Sequence, residues 1–316
     1  MDHSAGGSST SPIRPSPGSP ASPTGSVRSA SPGEPPGGLG RSELKQLATR
    51  HGLRPTKRLG QHFLADPNLA RAIAADAGIR HGDRVLEVGA GLGSLTVALA
   101  GAGVPVLAIE ADRGVARALE EVVAPLRDVR VVVADAMHAD WGALLEPGRW
   151  AMVSNLPYNI SVPLLLDLLG GVDAIDRFLV MVQLEVGERL VAPPGDASYG
   201  AVSVRVAYHA DARITRRVPA DVFWPRPRID SVLVRLDRHE PPVDVDRGAL
   251  FRVVDEGFAE RRKTMANALR RLGLDAEAAA SAMRANGLDP STRAERLGLP
   301  EFAGIAGNLL DAGWRP

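Results

Sequence analysis

Asn155, Leu156, Pro157 and Tyr158 follow directly on an apolar run from Trp150 to Val153. An Asn-x-Pro-aromatic turn at a strand end suits chemistry on the amino group of a flat ring. The Asn side-chain carbonyl can accept a hydrogen bond from a planar amine. Pro157 has no N–H and a fixed φ, so it stiffens the turn and biases Leu156 toward extended backbone. The Leu156 carbonyl is then a second acceptor for the same nitrogen, and Tyr158 offers a face on which a base can stack. Two acceptors on one amine would aim its lone pair at an electrophile. The same four residues also read as an ordinary turn, so their meaning depends on what surrounds them.

Upstream, Asp83 to Val88 reads as a Val- and Leu-rich strand. It runs into Gly89-Ala90-Gly91-Leu92-Gly93 and then into a helical pattern from Ser94 to Leu99. Strand, glycine turn and helix make the first βα turn of a doubly wound sheet, whose ligands sit at the carboxyl ends of its strands. The glycines let backbone approach a ligand closely. A dinucleotide fingerprint would need a glycine where Ser94 stands, and Gly93 comes one residue early, which argues against NAD.

The next strand, Val104 to Ile109, ends on Glu110, which can accept hydrogen bonds from two ribose hydroxyls. The third, Val129 to Ala134, ends on Asp135, followed by Ala136. An acid there can accept from an adenine amine while a neighbouring N–H donates to a ring nitrogen. Singly, each acid could be a helix N-cap. Together, strands ending on Gly89, Glu110, Asp135 and Asn155 describe a nucleoside-type cofactor site at one edge of one sheet.

With these residues the chain resembles the class I S-adenosylmethionine methyltransferases. More specifically it resembles the ribosomal RNA adenine dimethyltransferases, in their small-subunit branch. Asn155-Leu156-Pro157-Tyr158-Asn159-Ile160-Ser161 looks like that family's active-site signature. Leu59-Gly60-Gln61-His62-Phe63-Leu64, Asp135-Ala136-Met137 and Gln183-Leu184-Glu185-Val186 match as well. So do Phe223-Trp224-Pro225-Arg226-Pro227-Arg228-Ile229-Asp230-Ser231 and Phe258-Ala259-Glu260-Arg261-Arg262-Lys263-Thr264. The resemblance covers about residues 52 to 310. It implies S-adenosylmethionine as cofactor, held by His62, Leu64, Gly89, Gly91, Glu110, Asp135, Ala136 and Asn155. It also implies a substrate: two adjacent adenosines in the 3′-terminal hairpin loop of 16S rRNA, dimethylated on the assembling 30S subunit. His62 departs from the pattern, since the family usually has Asn there. Its imidazole can still donate one bond and accept another, which would make cofactor binding pH-sensitive. The plainer reading gives His62 a local backbone partner.

The chemistry expected is direct methyl transfer, with no metal and no covalent enzyme nucleophile. The target base must leave its stack to be reached. Tyr158 and Phe223 are the candidates for holding it on either side, with Phe223 as a plain core residue the other reading. Three competing functions share parts of the pattern. Macrolide-resistance enzymes methylate one adenosine of 23S rRNA. A DNA adenine methyltransferase would more often carry a second proline where Leu156 stands. A non-catalytic assembly factor would not need an intact Gly89, Glu110, Asp135 and Asn155.

The remaining features set bounds. The chain has 316 residues, no cysteine and seven histidines without metal-ligand spacing. No apolar run reaches the ~18 residues of a membrane span, and Val162 to Leu169 reads as a buried helix. A cytoplasmic monomer is expected. Residues 1–41, rich in Ser, Pro and Gly, read as a disordered tail. Residues 42–240 read as the α/β catalytic domain, a mostly parallel sheet closed by a strand pair at 214–218 and 231–236. Residues 243–312 read as a smaller all-helical domain, with Leu269, Leu272, Met283, Leu288, Leu297 and Phe302 as core. Formal net charge is zero, yet fifteen Arg and Lys face ten Asp and Glu between Arg205 and Arg271. Arg216-Arg217, Arg226, Arg228, Arg261-Arg262-Lys263 and Arg270-Arg271, with Lys57-Arg58, could line a groove for RNA phosphates. The Arg261 to Lys263 run could equally be a solvated helix face.

Overall fold

A computed structural model describes residues 38–55, 61–260 and 262–316. Most of the expected tail therefore lies outside the described residues, as do Lys57, Arg58 and Arg261. The strands are β1 (Phe63–Leu64), β2 (Arg84–Val88), β3 (Val106–Glu110), β4 (Val129–Val133), β5 (Trp150–Asn155), β6 (Ile175–Gln183), β7 (Ala210–Val218), β8 (Phe223–Trp224) and β9 (Ser231–Arg238). The helices are α1 (Arg41–Arg50), α2 (Pro67–Asp76), α3 (Ser94–Ala100), α4 (Arg113–Val123), α5 (Trp141–Leu144), α6 (Ser161–Gly171), α7 (Leu184–Val191), α8 (Ala201–His209), α9 (Arg247–Ala259), α10 (Met265–Leu269), α11 (Ala276–Ala285) and α12 (Leu299–Asp311).

Seven strands form one sheet in the order β4-β3-β2-β5-β6-β9-β7. The first five are parallel, and β9 runs antiparallel to both β6 and β7. The strands read as near-continuous apolar runs because helices cover both faces. Leu86, Met152, Phe178, Val180 and Val234 enter one buried cluster, while Val85, Val153, Leu179, Met181 and Leu233 enter another. The alternation along each strand is the strand period of two. The chain leaves β4 at one edge and returns to β5, beside β2. That reversal of strand order is the crevice where such sheets bind ligands.

Local chemistry sets the element ends. Asp66 caps α2 by accepting from the Asn68 and Leu69 N–H groups, with Pro67 at the first helical position. Beyond Leu86↔Met152 the β2–β5 ladder ends, and the Val88 N–H is taken by the Ser154 hydroxyl at 2.9 Å. A side chain thus satisfies the backbone where the two strands part to open the site. At the opposite end, Asp83 and Arg177 form a buried ion pair at 2.7 Å. Burial pushes the Asp83 carboxyl up, but the Arg80 N–H and the Arg177 and Arg149 guanidinium groups outweigh it and hold it below its usual range.

The sequence pattern left residues 201–208 without a type; they are helix α8. It also did not foresee the two-stranded antiparallel pair β1–β8, which registers Phe63 against Trp224 and Leu64 against Phe223. Helices α9 to α12 share a core in which Leu269, Met283, Leu297 and Phe302 are buried and Leu272 and Leu288 pack at the margin. That core also takes Tyr199, Val204 and Tyr208, and the Tyr199 hydroxyl donates to the Leu297 carbonyl at 2.7 Å.

Candidate active site

A cavity of about 480 Å³ opens at the carboxyl ends of β2, β3 and β5. It is lined by Gln61 to Leu64, Glu87, Gly89 to Leu92, Ser94, Leu95, Glu110 to Asp112, Asp135 and Asn155 to Ile160. Two glycines let its floor form. Gly89 has φ +73°, and a Cβ there would stand 2.9 Å from Pro157 Cδ. Gly91 has φ +57°, and a Cβ there would stand 2.8 Å from Phe63 Cδ1. Both are left-handed positions that L side chains rarely adopt. The glycine turn is therefore packed against both motifs, residues 61–64 and residues 155–158.

Glu110 accepts from the Gly91 N–H at 2.9 Å and from the Asp112 N–H at 3.0 Å, one bond to each carboxylate oxygen. Each oxygen keeps a second lone-pair site for a hydroxyl. Burial raises its pKa, opposed by those N–H groups. Asp135 is more open. Its Oδ1 accepts from the Met137 N–H, and its Oδ2 lies 3.1 Å from His138 Nδ1. The Met137 N–H first and His138 second hold its carboxyl below the usual range. Asp135 is thus the N-cap of a short 3₁₀ turn and a wall of the cavity at once. Ala136 is buried with its methyl in the core and does not border the cavity, so it can offer only main chain.

The Asn155 amide is oriented without ambiguity. Its Nδ2 donates to the His62 carbonyl at 3.0 Å, and a carbonyl can only accept. Oδ1 is therefore the atom left for a donor in the cavity. Leu156 borders the cavity while its side chain lies in the core and its N–H bonds to Met181 O. What it can present is its own carbonyl. The Tyr158 hydroxyl meets Ser231 Oγ at 2.9 Å, and its ring stands 5.5 Å from the His62 ring. Burial raises the Tyr158 pKa, and the Ser231 contact opposes it.

His62 Nδ1 lies 2.7 Å from the Pro225 carbonyl. The proton on that contact belongs to Nδ1, so in the neutral ring Nε2 is the acceptor. His62 thus has a backbone partner, but not a local one: Pro225 lies 163 residues further along the chain, and His62 still borders the cavity. Phe223 requires a correction. It is fully buried in the core beneath β1 and β8 and does not border the cavity, so it presents no face to a base. Its neighbour Leu64, also core, does border it.

One residue escaped the sequence reading. Glu87 is 1 % exposed and borders the cavity. Burial pushes its carboxyl up to about 8; the adjacent Thr96 hydroxyl opposes this and the Glu110 carboxylate adds to it. Among the described residues Glu87 Oε2, Ser94 Oγ and Thr96 Oγ1 are buried without a well-formed hydrogen bond, so the nearby Thr96 hydroxyl relieves the carboxyl only in part. The available signal was an acid inside Arg84-Val85-Leu86-Glu87-Val88, a strand buried on both faces.

The basic clusters divide. Arg226, Arg228, Arg262 and Lys263 are exposed and form no ion pair among the described residues. Arg216 is paired with Asp76, Arg217 with Asp230, and Arg271 with Glu256 and Glu260. Those three carry a neighbouring acid, so they are less available to phosphates than the first four, while Arg270 is exposed and forms no ion pair among the described residues. No group of three or more His, Cys, Asp or Glu among the described residues could hold a metal. No helix among them is long and apolar enough to cross a membrane.

The strand order, the glycine turn and the strand-end acids define a class I methyltransferase fold. Two solved structures share it. A dimethyladenosine transferase from Plasmodium falciparum superposes with a TM-score of 0.67 at 22 % identity, covering 80 % of this chain and 99 % of that one. The 23S rRNA methyltransferase ErmE superposes with a TM-score of 0.61 at 24 % identity, covering 78 % and 99 %. These likenesses speak to fold alone.

The chain belongs to the ribosomal RNA adenine dimethylase family, whose model matches residues 52–308. It is 45 % identical over 271 residues to the ribosomal RNA small subunit methyltransferase A of Thermobifida fusca, covering 84 % of this chain and 94 % of that protein. It is 41 % identical over 303 residues to the protein of the same name from Corynebacterium jeikeium, covering 86 % and 96 %. It is a methyltransferase, and its cofactor is S-adenosylmethionine. The site fits that group. The glycine cradle admits it closely, the acids Glu110 and Asp135 can accept its hydroxyl and amine protons, and Glu87 Oε2, buried without a hydrogen-bond partner among the described residues, suits a cation.

Proposed function

We propose that this protein dimethylates two adjacent adenosines in the 3′-terminal hairpin loop of 16S rRNA, on the assembling 30S subunit in the cytoplasm. The observation that carries the reading is the convergence of the Asn155 Oδ1 acceptor, the Leu156 carbonyl and the Tyr158 ring on one wall of the cofactor cavity. The cofactor supplies an electrophilic methyl carried on a sulfonium.

Everything else falls to the chain. Asn155 Oδ1 and the Leu156 carbonyl accept the two amine hydrogens of adenine and turn the nitrogen lone pair toward the cofactor side. Tyr158 stacks on the base, with its hydroxyl fixed by Ser231. Gly89, Gly91, Glu110, Asp135 and His62 position the cofactor. Catalysis is then mainly orientation and fixed electrostatics. Arg226, Arg228, Arg262 and Lys263 contact phosphates, joined by Lys57, Arg58 and Arg261. The helical part at 243–312 recognises the ribosomal particle, and the protein acts as a monomer.

The near-full-length relatives at 41–45 % identity carry the small-subunit name, which supports 16S over 23S rRNA as substrate. The test is transfer of labelled methyl to unmethylated small subunits, naked 16S rRNA and naked 23S rRNA, with products mapped by mass spectrometry. Dimethyladenosine in small subunits alone is the expected result. Label in naked 23S rRNA would move the protein to the resistance type. No label with intact cofactor binding would leave an assembly factor.

A further inference from the structure

The loop joining β8 to β9 carries Arg226, Arg228 and Ile229 exposed within four residues. Ile229 is 44 % exposed; Val133 and Ile214 are the other large apolar side chains this open among the described residues. Neither arginine has an ion-pair partner among the described residues. By contrast Arg213, Arg216 and Arg217, on β7, each face an acid.

The loop is tied to the cavity wall at both ends. At its start the Pro225 carbonyl accepts from His62 Nδ1 at 2.7 Å, and β8 pairs with β1. At its end Ser231 Oγ holds the Tyr158 hydroxyl at 2.9 Å. Asp230 braces it further, with Oδ1 accepting from the Ala220 N–H and its carbonyl from the Leu184 N–H, both at 3.1 Å. Two residues span at most about 7 Å of chain, so the Ile229 backbone stands within that distance of Ser231. Pro225 and Pro227 fix φ at two positions, which lowers the entropy lost when the loop engages a partner.

A single exposed isoleucine means little by itself. Here it stands beside two cations with no ion-pair partner among the described residues, on a stiff loop anchored to the base-binding wall. That set matches a nucleic-acid strand in which one base has been drawn out. Phosphates flank the gap, and the gap itself is an apolar slot between stacked bases. We infer that Ile229 is a wedge that fills the stack vacated by the target adenosine, while Arg226 and Arg228 take the flanking phosphates. The inference rests on the proposed RNA substrate and adds to it the residue that keeps the base out.

The test uses small subunits rebuilt with 16S rRNA carrying 2-aminopurine at either target position. Its fluorescence rises when the base leaves its stack. Wild-type protein is expected to raise the signal. Ile229→Ala is expected to bind the particle within about threefold of wild type, to lose most of the rise, and to methylate ordinary subunits about tenfold more slowly at saturation. Ile229→Leu restores both, and Ile214→Ala, a similarly exposed residue on β7, changes neither. Cofactor binding should be unchanged throughout, which separates a wedge from a folding defect. A full fluorescence rise and a wild-type rate in Ile229→Ala would overturn the wedge while leaving the proposed function standing. Wild-type protein that neither raises the signal nor methylates small subunits would overturn both.

Discussion

Asn155 reaches back 93 residues to donate its side-chain N–H to the main-chain carbonyl of His62. This bond joins the active-site turn to the segment that enters β1, and it decides which end of the amide faces the cavity. Asn155→Asp keeps an acceptor but loses the donor and sets a carboxylate against a carbonyl. Its turnover should fall about a hundredfold, with RNA KM and cofactor affinity within about threefold. Asn155→Ala, with no acceptor left, should fall further. Steady-state rates with labelled methyl, set beside calorimetric cofactor binding, check this. A wild-type rate in the Asp variant would show that the His62 contact does not set the orientation that turnover needs.

Tyr158 and Ser231 give a separable pair of effects. Tyr158→Phe keeps the ring and loses the hydroxyl contact, so activity should stay within a few-fold of wild type. Tyr158→Ala loses the stacking face, worth roughly 1–3 kcal/mol per base, and turnover should drop by ten- to hundredfold. In denaturant unfolding, the cycle of Tyr158→Phe, Ser231→Ala and the double variant should show a coupling of about 1 kcal/mol. Strict additivity would mean that the hydroxyls do not hold one another.

Gly91→Ala combines two penalties. Its φ of +57° is strained for alanine, and the new methyl would stand 2.8 Å from the Phe63 ring. Gly52, at φ +63° with nothing within 4 Å, carries the first penalty alone. Gly52→Ala should cost about 1 kcal/mol of stability, and Gly91→Ala about 1–3 kcal/mol more. Only Gly91→Ala should also weaken cofactor binding, by tenfold or more. Equal cofactor affinity in the two variants would show that the cradle does not depend on this close approach.

The paired and unpaired arginines make a salt-dependence prediction. Arg228 has no acid partner among the described residues, whereas Arg216 is held by Asp76 at 2.6 Å. Arg228→Ala should lower the slope of log affinity against log salt for small-subunit RNA by about 1. Arg216→Ala should leave the slope unchanged and cost a little stability. Filter binding from 50 to 200 mM salt measures both. Equal slopes for the two variants would remove the loop arginines from the RNA contacts.

Much of this site was legible in sequence because strand ends and turns are local features. Gly89, Glu110, Asp135 and Asn155 each close a β-run, and parallel strands put their ends on one edge. Ser154, Ser231 and Pro225 were not legible as site residues, since their roles depend on Val88, Tyr158 and His62, far away in the chain. Phe223 was misplaced for the same reason. An aromatic beside a motif reads alike whether it faces a cavity or a core, and only the β1–β8 pairing turns it inward. Arg216 and Arg217 of β7 looked available until Asp76 and Asp230 were brought opposite them.

Glu87 carries the pH prediction. Burial pushes its carboxyl up to about 8 from an ordinary 4.5, opposed by Thr96 and reinforced by Glu110. Below pH 4.5 the folded and unfolded chains both hold the proton, and the group makes no difference. As pH rises from there toward 8, the unfolded chain releases it and the folded chain keeps it, so stability falls; above 8 the penalty is complete. At pH 7 this amounts to roughly 3 kcal/mol. Glu87→Gln should therefore unfold at higher denaturant than wild type at pH 7.5, with the gap closing as pH approaches 5. A cation entering beside Oε2 reverses the balance, because it favours the ionised carboxylate. Titration of wild-type protein with S-adenosylmethionine at pH 7, in buffers of different ionisation heat, should release up to about one proton. The Gln variant should release none. Parallel stability curves and equal proton release in the two proteins would mean that Glu87 is ionised in the folded chain, and its isolation beneath the glycine turn would then have no bearing on cofactor binding.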